Sequence, residues 1–563
     1  MKGSKASVWI TLAVAAAMML AANGYGAINN AYFNMVGSSA QFQVWGETAV
    51  KAAAPCGSNI WTASNGAEGV DSRAAGIEKI KGNVWIVWDG AADGTGTTHI
   101  CTYLNTDSGQ GVRLFMAKPR GSLSLSGANT LCTNPAGAGL VKLVGADSPL
   151  PNNVCAAAEG AIFNVAATDI RPEDALFATN RACGVGGNPP LIYGPCNVNF
   201  YGTDILEQGT VGTGPPVYGS KTFQPVLFNL SAPGAIDPIS KLKLPAAFKV
   251  LPIGAGPIII TVNSTDSASG AFGSQVSGVN VFQNINRFVL AKVFDGTFTR
   301  TCDILNLQGQ TCLPIQVAVR EPMSGTYNTF EYNIPNSVEI GTSQEACIGG
   351  PAGNGNVPSG SYSCGLVNGS AVTGFSNPLY YTYPNGATRG RAIGTGDEIK
   401  AVTNAANPNG IGYAFWGFGN FASYVGTQRY LTVDGVDPLF QTYTNGIYPT
   451  CVVPCPGALT FPHLQDGTYP IWSNLRIVTD GVVPAEVQTL YNDLILGDIP
   501  DFVPYTVLNV FRSHYTQAGF NPGNGICPGT KESGGDVGGA VFTIQAEKDF
   551  CADYNGQLLN FQQ

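Results

Sequence analysis

Residues 250–262 (VLPIGAGPIIITV) form a continuous apolar run, the pattern of a strand buried on both faces at the centre of a sheet. Shorter runs at 81–88 (KGNVWIVW), 161–166 (AIFNVA), 410–421 (GIGYAFWGFGNF) and 469–480 (YPIWSNLRIVTD) predict further strands. Ile315, Val317 and Val319 alternate in a strand that ends at Arg320. Elsewhere the period is helical. Phe42, Trp45 and Ala49 start a helix over 43–54, and 286–298, 485–494 and 505–516 also read as helices. No fixed-period repeat runs along the chain. Strand–loop–helix units recur with short Gly/Ser loops between them, which predicts an α/β fold.

Other stretches carry neither period. Residues 121–139, 184–219 and 346–373 are dense in Gly, Pro, Asn, Ser and Cys and read as loop-like insertions. A chain of 563 residues is too long for one simple core and suits two or three lobes. With 44% hydrophobic and 12% charged residues, 72 Gly and 36 Pro, it is a loop-rich globular protein rather than a disordered one. The formal net charge of −9 argues against a nucleic-acid partner. It leaves room for a local anion site, which needs only a few converging N–H groups and one Arg.

The first residues change the compartment. Lys2 and Lys5 precede an apolar, Ala-rich run over 8–22, followed by the small residues Ala22, Gly24, Gly26 and Ala27. This predicts a secretory signal over 1–26, cleaved near 24–27, because the run is short for a stable membrane span. No Cys lies close behind it to carry a lipid. The expected location is periplasmic or secreted. The 14 cysteines fall in close neighbours, which suggests the disulfides Cys56/Cys101, Cys132/Cys155, Cys183/Cys196, Cys302/Cys312, Cys347/Cys364, Cys451/Cys455 and Cys527/Cys551, stapling the Gly-rich insertions. The spacing of Cys451 and Cys455 also suits zinc, yet only His99, His463 and His514 exist and no second pair completes a site.

Four strand–loop–helix junctions carry small hydroxyl or Gly residues, and helix N-termini converging on one point make an oxyanion site. The run from Val319 to Thr326 (VREPMSGT) places Arg320 at a strand end, then Ser324, Gly325 and Thr326. Residues 37–42 (GSSAQF), 108–113 (SGQGVR) and 163–169 (FNVAATD) are the other three. This order resembles the phosphate-binding proteins of bacterial ABC transporters, and the Tyr469-Pro470-Ile471 stretch resembles their secreted DING branch. The matching islands run from residue 37 to about 515, and the insertions between them match no pattern. Two departures stand out: Gln41 replaces the usual Thr, and Thr301-Cys302 replaces Trp-Asp.

The resemblance implies a two-lobed periplasmic-binding-protein fold of type II with disulfide-stapled insertions. Lobe I would take 27–255, lobe II 256–470, and 471–563 would return to lobe I. Phosphate would lie between the lobes, held by Gln41, Phe42, Ser108, Asp169, Arg320, Ser324, Gly325 and Thr326, with delivery to an ABC permease. The protein is expected to be a monomer that is not an enzyme and carries no cofactor. Each residue also has a plainer reading. Arg320 can cap a strand, the Ser and Thr residues can be N-caps, and Asp169 can be a turn residue before a helix started by Pro172. Asp303, Glu321 and Glu331 read as solvated carboxylates. The competing classes are a secreted surface or structural protein and a phosphatase-like enzyme on the same fold. The enzyme lacks a Gly-x-Ser-x-Gly elbow, a Walker loop or clustered metal ligands.

Overall fold

The computed structural model describes residues 27–51, 56–63, 84–90, 97–116, 120–123, 125, 140–142, 150–170, 248–265, 270–273, 275–276, 279–304, 312–320, 324–335, 344, 366–367, 370–371, 379–382, 385–392, 394–403, 408–421, 424–443, 445–449, 460–496, 501–512 and 541–543. The predicted signal segment and most of the Gly-rich insertions lie outside these residues, as does the helix expected after Pro172.

The protein is mixed α/β around a large central sheet. Its first strands in chain order are β1 (Ala27–Gly37), β2 (Ile60–Ala63), β3 (Val84–Val87), β4 (Thr97–Asn105), β5 (Leu140–Lys142), β6 (Val165–Thr168) and β7 (Phe248–Asn263). They are followed by β8 (Asn284–Ile285), β9 (Gln316–Arg320), β10 (Leu379–Thr382), β11 (Thr388–Ala392), β12 (Gly410–Phe415), β13 (Gln428–Val433), β14 (Trp472–Asp480) and β15 (Val503–Pro504). The strand order is β10-β11-β9-β12-β7-β14-β6-β1-β4-β3-β2-β5, with β8 on β13, and β13 and β15 on β7. The apolar run at 250–262 is thus central, as its uninterrupted hydrophobicity requires: from Pro252 to Asn263 every residue of β7 is buried.

Two features of this order matter for function. Strands β1, β4 and β6 are mutually parallel, with β1 in the middle. Strands β9, β11 and β12 form a second parallel triplet, with β9 in the middle. Between the triplets run β7 and β14, antiparallel to each other, β14 against β6 and β7 against β12. Each triplet aligns its carboxyl ends along one edge, where loops and helix starts gather. The helices α1 (Phe42–Lys51), α2 (Ser108–Met116), α3 (Asn152–Ala158), α4 (Arg287–Phe294), α5 (Gly325–Asn333), α6 (Gly394–Val402) and α7 (Ala485–Leu496) pack on the sheet. One buried cluster joins Phe33, Trp45, Trp85, Ile259, Phe330, Tyr413 and Trp472 across the middle of the sheet. A second, with Val36, Ile86, Leu104 and Phe163, covers the other face of β1, β3 and β4.

The expected elements at 286–298, 315–320 and 485–494 are present within a few residues. Asn286 caps α4 by accepting the Val289 N–H at 2.8 Å. Two expectations are corrected. The run 410–421 is strand only to Phe415, after which a short helix, Phe418–Phe421, starts on the Asp501 carboxylate, which accepts the Phe418 N–H at 2.8 Å. The segment from Tyr505 to Arg512 is not helical. It makes a 3-10 turn at Tyr505–Val507 and a strand at Val510–Arg512 paired with Val541–Thr543, in keeping with its β-branched and aromatic residues. The Cys56–Cys101 and Cys302–Cys312 disulfides are formed, with Cα atoms 5.6 and 5.0 Å apart. Cys155 is also disulfide-bonded. The pairs suggested at 183/196, 347/364, 451/455 and 527/551 lie outside the described residues. Among those residues no helix is long and apolar enough to cross a membrane.

Candidate oxyanion site

The carboxyl ends of the two parallel triplets meet. From the first come the loop after β1, the start of α2 after β4, and Asp169 immediately after β6. Gly37 makes this convergence possible. Its φ is +138°, and a Cβ there would lie 2.1 Å from the Ala167 carbonyl oxygen, so only glycine lets β1 turn against β6. The turn is fixed by Ser38 N–H donating to Ala167 O at 3.0 Å and Thr106 N–H to Gly37 O at 2.8 Å. Tyr103 Oη donates to the Ser38 carbonyl at 2.6 Å. At α2, Asp107 accepts the Gln110 N–H at 2.7 Å, which sets Ser108 at the first helical position.

Asp169 is the focus of this side and is buried. Its carboxylate accepts from the Ser38 hydroxyl, and its own N–H donates to Ser108 Oγ at 3.0 Å. Burial pushes its pKa up, opposed by hydrogen bonds from Ser38, Gln41 and Ser108 and by the charge of Arg320. Gln41 is turned largely to backbone. Its amide donates to Thr168 O at 2.9 Å and to Arg476 O at 3.0 Å, while its oxygen accepts from Trp45 Nε1 at 3.1 Å. The Phe42 side chain is core, edge-on to Tyr103 with ring centroids 5.3 Å apart.

From the second triplet come Arg320 at the end of β9, the start of α5, and the start of α6 after β11. Arg320 is fully buried, not a surface cap. Its Nη1 donates to Thr326 Oγ1 at 3.2 Å and to Thr395 Oγ1 at 3.1 Å, and its Nη2 to Ser39 Oγ at 3.3 Å. Ser39 and Thr395 share a hydroxyl–hydroxyl bond of 2.9 Å. Ser324 is the N-cap of α5, its Oγ accepting the Tyr327 N–H at 3.4 Å. Gly325 lies directly against the first side. A Cβ there would sit 2.4 Å from Ser108 Oγ and 2.5 Å from Asp169 Oδ2. The helix start and the carboxylate therefore touch.

Behind Arg320 runs a buried polar chain. The Arg320 N–H donates to Tyr413 Oη at 3.3 Å, Tyr413 donates to Gln344 Oε1, and the Gln344 N–H and Nε2 donate to Glu331 Oε2 at 2.9 and 3.0 Å. Burial first, then the negative charge of Glu398, holds the Tyr413 phenol protonated by raising its pKa. Phe330 stacks on the same ring with centroids 4.0 Å apart. Glu331 is thus not a solvated carboxylate but a fully buried acceptor. Asp303 is exposed as expected, and Glu321 lies outside the described residues.

The structure therefore gathers Ser108, Asp169, Arg320, Ser324, Gly325 and Thr326 at one buried locus. Gln41 borders it with most of its amide engaged on backbone, and the Phe42 side chain belongs to the core. Sequence reasoning passed over Ser38 and Ser39, which sit inside the 37–42 loop it had singled out. It also passed over Thr395, whose Gly-Thr-Gly setting after a strand is another junction of the same kind. Among the described residues no group of three or more His, Cys, Asp or Glu converges as metal ligands. The arrangement opposes a cation surrounded by hydroxyls to the Asp169 carboxylate.

No family pattern and no curated protein matches the chain. Among solved structures, it is similar to a phosphate-binding protein from Stenotrophomonas maltophilia at 13% identity, over 85% of this chain and 92% of that one, with a TM-score of 0.33. PstS from Borrelia burgdorferi aligns at 11% identity, over 82% of this chain and 92% of that one, with a TM-score of 0.28. A protein from Clostridium perfringens solved with bound phosphate aligns at 14% identity and a TM-score of 0.25, over 44% of this chain and 65% of that one. At these values the chemistry of the site is a matter of this chain's own residues.

Proposed function

We propose that this chain is an exported solute-binding protein that captures inorganic phosphate between two lobes. The observation that carries the reading is the set of hydroxyls around Arg320. Thr326, Thr395 and Ser39 all accept from the guanidinium. A hydroxyl that accepts from a cation still has its own hydrogen to give, and polarisation by the charge makes it a stronger donor. Such a shell suits an anion's oxygens. Arg320 itself is the planar fork that fits a tetrahedral oxyanion. The carboxylate of Asp169, on the facing side, supplies the one acceptor that a protonated oxyanion needs. Sulfate carries no proton at neutral pH and would meet only repulsion there, whereas phosphate keeps one to donate.

In this reading lobe I comprises 27–255 and 471–563, lobe II comprises 256–470, and β7 and β14 connect them. Closing the lobes brings Gly325 onto Ser108 and Asp169, a hinge movement that excludes water from the anion. The protein performs no chemistry. It captures and delivers, with an ABC permease as the proposed recipient and the periplasm or the cell exterior as its place of work. Calorimetric titration of dialysed mature protein tests the reading. Phosphate is expected to bind with a stoichiometry of one and sulfate far more weakly; absence of phosphate binding, or equal binding of both anions, overturns it.

A further inference from the structure

Thr395 and Ser39 stand outside the residues expected to hold the ligand, yet they have the most unusual bonding at the site. They belong to chain segments 356 positions apart and meet through a 2.9 Å hydroxyl–hydroxyl bond. Ser39 comes from the turn Ser39–Gln41 before α1, and Thr395 from the first turn of α6. Each also accepts from a different nitrogen of Arg320, at 3.3 and 3.1 Å. Both are buried.

Counting hydrogens shows what the pair does. Two hydroxyls own two hydrogens. Their acceptor sites toward Arg320 are filled by the guanidinium, and one hydrogen closes the bond between them. The other has no acceptor among the described residues. Whichever way the mutual bond points, one buried and cation-polarised hydrogen is left over beside Arg320. A buried donor without an acceptor is costly, so it is the complement of an anionic oxygen. We infer that Ser39 and Thr395 act as a single two-residue donor to the bound oxyanion, contributed jointly by the two sides of the site. The inference rests on the anion reading given above and adds a specific donor to it. Thr suits the position because its branched Cβ restricts χ1 and aims the hydroxyl.

The test is calorimetry of Thr395→Val, Ser39→Ala, the double variant and Thr395→Ser, with folding checked by circular dichroism melts. Wild-type protein is first titrated with phosphate, arsenate and sulfate, and the variants with whichever of these it binds. Thr395→Val and Ser39→Ala should each weaken binding roughly tenfold. The double variant should be no worse than either single one, because both break the same unit. Thr395→Ser should stay within about threefold of wild type, keeping the hydroxyl but not the stiffness. Unchanged affinity in Thr395→Val, or fully additive losses in the double variant, overturns the paired-donor inference while leaving phosphate capture standing. A wild type that binds sulfate but not phosphate defeats the phosphate reading, and the variants then decide the pair with sulfate. A wild type that binds none of the three overturns both.

Discussion

The two sides of the site are built alike and behave as opposites. Each is a triplet of parallel strands whose carboxyl ends carry a loop and a helix start. On the β1–β4–β6 side the central group is a carboxylate, and its neighbours Ser38, Gln41 and Ser108 hydrogen-bond to it. On the β9–β11–β12 side the central group is a guanidinium, and the hydroxyls of its own Thr326 and Thr395, with Ser39 reaching over from the first side, accept from it. The same architecture thus yields an acceptor in one place and donors in the other. In the proposed phosphate reading the difference divides the labour: the Arg320 side would supply attraction, and the Asp169 side choice.

The sharpest way to break this division is at Arg320. Arg320→Lys replaces a fork by a point charge that cannot reach Thr326, Thr395 and Ser39 together. A loss of about 1.5–3 kcal/mol in phosphate affinity is expected by calorimetry, roughly 13- to 160-fold. Sulfate should lose as much, since this side does not discriminate. Gly325→Ala attacks the contact between the sides. Its methyl would fall within 2.5 Å of Ser108 Oγ and Asp169 Oδ2, so the sides must part. Overpacking of this kind typically costs about 1–3 kcal/mol, and small-angle scattering with phosphate should show a more open protein than wild type.

Asp169→Asn tests choice. An amide can turn its NH₂ toward sulfate, so the preference for phosphate should narrow by about 1–3 kcal/mol in competition binding, with phosphate affinity falling and sulfate affinity rising. Full discrimination in the variant would return Asp169 to the role of a turn residue. The polar chain behind Arg320 acts at one remove. Tyr413→Phe removes one acceptor from the Arg320 N–H and one donor from Gln344, and should weaken phosphate by about 0.5–1.5 kcal/mol.

The smallest effect is in pH. Because the folded protein holds the Asp169 pKa above its ordinary value, the folded state binds more proton than the unfolded one between those two values. Stability of the ligand-free protein therefore falls as pH rises through that window, opposite in sign to a salt-bridged carboxylate. Buried Asp437 is raised in the same direction, so thermal midpoints of wild type and Asp169→Asn, compared from about pH 4 to pH 7, should differ by one such downward contribution, present in wild type and missing in the variant.

Much of this was readable from the chain, and for identifiable reasons. A buried central strand has no polar face to hide, so 250–262 declared itself through continuous apolarity. Arg320 and Asp169 each stand at the end of a short apolar strand, where parallel sheets concentrate function. Segment 505–512 was misread because a few apolar residues suit either period, and pairing with 541–543 decided the outcome. Glu331 was misread because its helix carries polar residues all round: Thr326, Asn328, Thr329, Glu331 and Asn333 are all buried. An outward, solvated face was the natural inference, and the partner that buries Glu331 is Gln344, a residue no period marks. Ser39 and Thr395 escaped for a different reason. Their meaning lies in a bond across 356 positions, which no local pattern contains.

The place of β14 in the sheet sets an order of events during synthesis. It lies between β6 and β7, pairing with Thr168 through Arg476 on one side and with Phe248 through Asp480 on the other. A ribosome emitting this chain has produced β1 to β7 some two hundred residues before β14 emerges. Throughout that interval β6 and β7 each present a bare strand edge, and such edges invite pairing with the wrong chain. The nascent protein therefore waits, unsealed, for residues 472–480. Their insertion is a late, long-range zippering, and the chain is expected to need protection from aggregation up to that moment rather than after it.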